Sequence, residues 1–138
     1  MGLRDSIITA LTTDTTLMAL LTGGVHGALE ISRQNTPAAF DTNLEIKPCA
    51  LVKVNADTAT GPYATSAAST LEIYFYQRAG YDTIGAAQIR AMALLNRMKV
   101  GDHVWQIRWS DNVPEADDNV LNCSLGLSRY HVYRMLLC

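Results

Sequence analysis

The chain has 138 residues, 49% of them hydrophobic and 17% charged, with a formal net charge of −2 at pH 7. That length and composition suit one domain over residues 1–138, with a core large enough to fold without disulfide staples. The slight acidity and the lack of any Lys/Arg run argue against nucleic-acid binding by counterion release and against a basic membrane-surface patch, and nothing approaches a transmembrane span.

The opening stretch, MGLRDSIITALTTD, has no secretory apolar core, because Arg4, Asp5 and the threonines interrupt it. Leu3, Ile7, Ile8 and Leu11 recur at helical spacing and predict a first helix to about Thr12. Asp14 or Thr13 can cap a second helix carrying Leu17, Leu20 and Leu21, which Gly23 or Gly24 would end. Residues 23–48 are poorly patterned and read as a long loop, with one helical turn at Pro37. Ala50, Val52 and Val54 then alternate with Leu51, Lys53 and Asn55 as a first strand.

Asp57 to Ser69 is small, polar and broken by Gly61 and Pro62. Fixing each of its residues costs roughly 1–2 kcal/mol, and few apolar side chains are present to offset it. Asp57, Thr60, Gly61, Pro62, Tyr63 and Ser66 are therefore candidates for a loop that orders only on assembly. A strand follows from about Thr70 to Arg78, with Leu71, Ile73 and Phe75 on one face. Its other face carries Tyr74, Tyr76 and Arg78, too large and aromatic for bare solvent. Three readings fit those residues: an interface with another chain, cover by this chain's own N-terminal segment or long loop, or a nucleic-acid platform.

Asp82 or Thr83 is expected to cap a helix whose apolar stripe is Ile84, Ala87, Ala91, Leu94, Leu95 and Met98. Trp105, Ile107 and Trp109 predict a third strand, followed by an acidic loop, SDNVPEADDN. Leu121, Cys123, Leu125 and Leu127 begin a fourth strand, and the shift of apolar phase to Tyr130 and Val132 predicts a bulge at Ser128 or Arg129. The expected fold class is α+β: an antiparallel-rich sheet of about four strands, with one long helix and the N-terminal helices packed on one face. Residues 1–22 supply those N-terminal helices, 23–48 the loop region and 49–134 a strand–strand–helix–strand–strand core.

Catalytic chemistry is not signalled. No phosphate-binding glycine loop is present, and GLSRY lacks the last glycine of a nucleophile elbow around Ser128. His26, His103 and His131 have no ligand-like partners at short spacing, and the acidic Glu115–Asp118 run lacks the alternation of a calcium loop. Cys49, Cys123 and Cys138 are odd in number and far apart, as free thiols in a reducing cytoplasm would be. No catalytic residue, cofactor or metal is assigned.

Three stretches in this order resemble the tail-terminator (tail-completion) proteins of long-tailed bacteriophages. LRDSIITALTTDTTLMALLTGGVHGAL is similar to the family's opening helix, short second helix and glycine turn. KPCALVKV resembles its first strand, and LEIYFYQRAGYDTIGAAQIRAMALLNRM its strand leading through a short turn into an Ala-rich helix. The departures are the long TATGPYATSAAS insertion and the apolar C-terminal RYHVYRMLLC. The resemblance implies a non-enzymatic virion protein assembled in the host cytoplasm: a homo-oligomeric ring, usually hexameric, at the head-proximal end of the tail tube. Its implied partners are its own copies, the tail-tube protein and a head-side connector, with no specific nucleic-acid binding and no membrane. A head–tail connector or neck protein, and a small α+β enzyme or ligand-binding domain using His103 or His131 as acid or base, are the competing readings.

Overall fold

The computed structural model describes residues 3–27, 30–55, 58–59, 66–97, 99–100 and 105–135. Two helices, α1 (Leu3–Thr12) and α2 (Thr15–Leu20), open the chain. Strand β1 (Val25–His26), a 3-10 turn (Pro37–Ala39), β2 (Cys49–Val54), β3 (Thr58–Ala59) and β4 (Ser66–Gln77) follow, then α3 (Asp82–Leu95). Strands β5 (Lys99–Val100), β6 (Trp105–Asp118) and β7 (Cys123–Met135) complete the order.

The class is α+β, with a seven-stranded sheet in the order β1-β2-β4-β7-β6-β5 and β3 also pairing with β4. Only β1 and β2 run parallel; every other pair is antiparallel. The four expected strands are the long ones, β2, β4, β6 and β7. The three additional strands have two residues each, too few to show alternation in a sequence.

Two long strands exceed their expected limits. Ser66 to Ser69, expected to belong to an unpaired loop, are the first residues of β4, in register with Met135 to Val132 of β7. A ladder joins backbone groups, so a template strand recruits small polar residues that have no packing signal of their own. Likewise β6 runs through most of the expected acidic loop to Asp118. Pro114 is tolerated there because β5 pairs only with the strand's first two residues, leaving the rest at the sheet edge.

The expected bulge in β7 is absent. The register slips instead on β6, by one residue between Trp109 and Asp111 and again between Val113 and Ala116. The apolar phase of β7 changes because its two faces meet different neighbours. Cys123 belongs to one cluster, with Leu125 packed against it, while Tyr130 and Val132 join the helices on the other side. Between them Gly126 lies under α3, where an added Cβ would collide with Ile84 Cγ2 and stand 2.9 Å from Gln88 Nε2. Gly126→Ala should therefore cost about 1–3 kcal/mol by overpacking, read as a lower urea midpoint at unchanged slope.

One core lies between the helices and the sheet. Leu3, Ile7 and Leu11 of α1, Leu17 of α2 and Ile84, Ala87, Ala91 and Leu95 of α3 pack on Leu71, Ile73 and Phe75 of β4 and their neighbours. The α3 stripe is largely the expected one: Ile84, Ala87, Ala91 and Leu95 are buried, Gln88 joins them, Leu94 is half-buried against the same core, and Met98 lies outside the described residues. Gln88 Nε2 donates to the Val113 carbonyl at 3.2 Å, beside the second register slip, so the polar group is matched where the ladder is interrupted. Contrary to expectation, neither Asp82 nor Thr83 is the N-cap of α3; Tyr81 stands there without a side-chain bond. Gln77 Oε1 reaches in from the end of β4 and accepts from the Thr83 and Ile84 N–H groups.

Asp14 ties the helices together. Its carboxylate caps α2 through the Leu17 N–H at 2.8 Å and takes two bonds from the Arg90 guanidinium of α3, at 2.9 and 2.7 Å. The bonds from Arg90, then that from Leu17, hold its pKa down at about 2 against an ordinary 3.8. A carboxylate with a depressed folded pKa stabilises the fold above its unfolded value and loses that contribution as pH falls through the folded one. Thermal unfolding should thus show a falling melting temperature between about pH 4 and pH 2, and Arg90→Met should flatten that slope.

Candidate assembly surface

The second sheet face is covered in part by the chain's own loop. Ile31, Ala39, Phe40 and Ile46 form a cluster with Cys49 and Leu51 of β2, Tyr76 of β4 and Cys123 of β7. The loop is built to sit there. Thr36 Oγ1 donates to the Ser32 carbonyl and accepts from the Ser32 N–H. Asp41 Oδ1 accepts from the Asn43 and Glu45 N–H groups. Phe40 and Ile46 form an isolated bridge, and the Arg33 guanidinium lies 5.3 Å from the centre of the Phe40 ring.

This changes the standing of the three residues singled out on that face. Tyr76, expected as an interface candidate, is 6% exposed and belongs to the cluster under its own loop. Burial pushes its phenol pKa well up. Tyr74 lies at the margin, half-buried, with its hydroxyl donating to Glu72 Oε2 at 3.1 Å and Lys53 Nζ 5.5 Å from its ring centre. Arg78 is exposed and pairs with Glu45 at 2.6 Å, linking the end of β4 to the covering loop. Of the assembly-loop candidates, Ser66 is a strand residue, whereas Asp57, Thr60, Gly61, Pro62 and Tyr63 lie outside the described residues.

Beyond the loop the same face is charged. Lys53, Glu72, Arg129 and Asp111 stand in one row across β2, β4, β7 and β6, with signs alternating. Arg129 Nη1 meets Asp111 Oδ2 at 3.0 Å, and Asn55 Nδ2 donates to Glu72 Oε1 at 3.0 Å. Opposite charges on directly paired positions stabilise the sheet and keep the face wet. His131 and Tyr133 follow on β7, both exposed, with ring centres 6.2 Å apart.

The residues considered for chemistry do not converge. Ser128 is fully buried against the helical side. His26 Nε2 donates to the Gly23 carbonyl at 2.7 Å, and His103 lies outside the described residues. Burial raises the Cys49 thiol pKa to about 12 and that of Cys123 to about 11, so both stay protonated. Asp117 accepts from the Tyr81 hydroxyl at 2.9 Å, and Asp118 Oδ1 accepts from the Val120 and Leu121 N–H groups. These acids line an open cleft of about 460 Å³ with Arg78, Tyr81 and Asn122. Among the described residues, no three His, Cys, Asp or Glu side chains are placed to hold a metal ion, and no helix is long and apolar enough to cross a membrane.

A second surface was missed by sequence reasoning. The outward side of α3 carries Ala86, Ile89 and Ala93, and Ile89 is 64% exposed. Trp109 of β6 is also exposed, beside the C-terminal end of that helix. The expected stripe already leaves Ile89 off the buried face of α3; what periodicity does not reveal is that Trp109 lies beside that helix.

No family model matches the chain, and no curated protein matches it. Among solved structures, a chain described as belonging to the virion of a native gene transfer agent particle shares the fold, with a TM-score of 0.70 at 14% identity. The likeness covers 98% of this chain and 96% of that one.

Proposed function

We propose that this chain is a structural virion protein that forms a ring on the end of a phage-type tail tube, stops tube growth and offers a surface for head–tail joining. The observation that carries the reading is the whole-length agreement of its fold with a chain of the gene transfer agent virion. The order of helices, loop and strands that resembles tail terminators supports it independently. Tube subunits stack through a repeated contact that does not close by itself. A ring that matches the tube on one side only ends the stack by geometry, with no reaction needed. The working partners are further copies of this chain, the tube protein and a head-side connector.

The test is to mix purified protein with unfinished tail tubes and image them by negative stain, with native mass measured in parallel. Rings seated on tube ends are expected. Binding to the portal-side connector in place of tube ends would reassign the chain to the neck, and a protein that neither oligomerises nor binds either particle would sink the reading.

A further inference from the structure

Five large hydrophobic side chains are well exposed among the described residues: Leu44, Ile89, Trp109, Val120 and Tyr133. Ile89 and Trp109 stand on neighbouring elements, α3 and β6. The helix α3 is anchored along β6 at two points, by Gln88 Nε2 on the Val113 carbonyl and by the Trp109 N–H on Asn96 Oδ1. The flank between those anchors therefore runs from Ile89 past Ala93 to Trp109. Arg90 is the one charged residue from Thr83 to Leu95, and it is engaged by Asp14. Exposed aromatic and aliphatic groups without charges between them are the composition of an interface centre. The adjoining strand edge is partly closed: the Ile107 carbonyl is taken by the Arg97 N–H, the Trp109 N–H by Asn96 and the Val113 carbonyl by Gln88. A partner must dock here through side chains, not by adding a strand.

Val120 is the counterpart. It is 93% exposed at the tip of the β6–β7 turn, where Asp118 fixes the backbone through the Val120 and Leu121 N–H groups and Asn122 takes a φ of 54°. A rigid turn presenting a bare apolar tip is a preorganised knob. Asp117 and Asp118 flank the turn with negative charge, facing Arg78 across the cleft, whereas Arg97, whose N–H bonds to the Ile107 carbonyl, follows the end of α3 beside Trp109. The turn lies at the N-terminal end of α3, where Tyr81 meets Asp117, and the receiving surface reaches its C-terminal end.

We propose that the Val120 turn of one protomer docks on the Ile89–Trp109 surface of the next copy of this chain, acidic turn against Arg97. The two surfaces differ, one beside the start of α3 and the other running from its middle to its end, so the contact is head-to-tail and, repeated, can close a ring. This names the subunit contact of the ring proposed above and rests on that reading.

The experiment mixes two single variants, Val120→Cys and Ile89→Cys, each also carrying Cys138→Ser, with a short bismaleimide. Cys49 and Cys123 are buried and should stay unmodified. A cross-linked dimer is expected from the mixture and not from either variant alone. Val120→Asp should abolish the oligomer while leaving the urea unfolding of the dilute protomer unchanged. Arg97→Glu should weaken association roughly tenfold or more at low salt by facing like charges, and Asp117→Arg should restore it. Rings in native mass without the mixed cross-link would overturn this contact and leave the ring intact. Monomers throughout, with no cross-link and no binding to tail-tube ends or to the connector, would overturn both.

Discussion

Tyr76→Ala should destabilise the protomer by about 3–5 kcal/mol, the range for truncating a buried aromatic side chain. The ring is packed beneath Ile31, Ala39, Phe40 and Ile46 and beside Cys49 and Cys123, so its removal opens a cavity where the loop meets the sheet. Tyr74→Ala, two residues away on the same face, should cost far less, because Tyr74 is half-buried and its hydroxyl bonds to Glu72, itself partly solvated. Urea unfolding of the two variants at low protein concentration separates the effects. Near-equal, small losses would mean that the loop does not pack as a second layer. A large loss for Tyr76 alone assigns that residue to the fold and leaves Tyr74 and Arg78 as the only members of the original trio open to a neighbour.

The reach of the sequence follows from where periodicity exists. In β2 and β4 the alternation of Val52 and Val54, or of Leu71, Ile73 and Phe75, reports a face buried against helices. The sequence reads residues 30–48 as part of a loop able to cover that face, but not which of its residues pack, because Ile31, Phe40 and Ile46 share no period. Side-chain-to-backbone bonds from Thr36 and Asp41 hold it in place. The second half of β6 was hidden by Pro114 and its run of acids, which carry the composition of a turn but lie on an edge strand where both are tolerated. Gln77 escaped as a cap because capping rules look at the residues next to the helix, whereas this side chain arrives from the preceding strand. The assembly surface was the least legible. Ile89 in GAAQIRAM falls off the expected stripe, but periodicity within one helix does not show which strand lies along its flank.

The orientation of α3 yields the second large effect. Leu95 is fully buried and packs in the core between the helices and the sheet, whereas Leu94 is only half-buried at its margin. Leu95→Ala should cost about 2–5 kcal/mol through lost burial and the cavity left behind, and Leu94→Ala distinctly less. Ile89→Asp should change protomer stability by only about 0.5 kcal/mol, as surface substitutions usually do, because its side chain faces solvent. Denaturation of the three variants thus reads the helix's orientation directly. A costly Ile89→Asp with a mild Leu95→Ala would turn the helix over and bury the surface proposed for the neighbouring subunit. The expected order, Leu95 well above Leu94 and Ile89 near zero, leaves Ile89 free to spend its apolar area on assembly, where Ile89→Asp should act on the oligomer without acting on the fold.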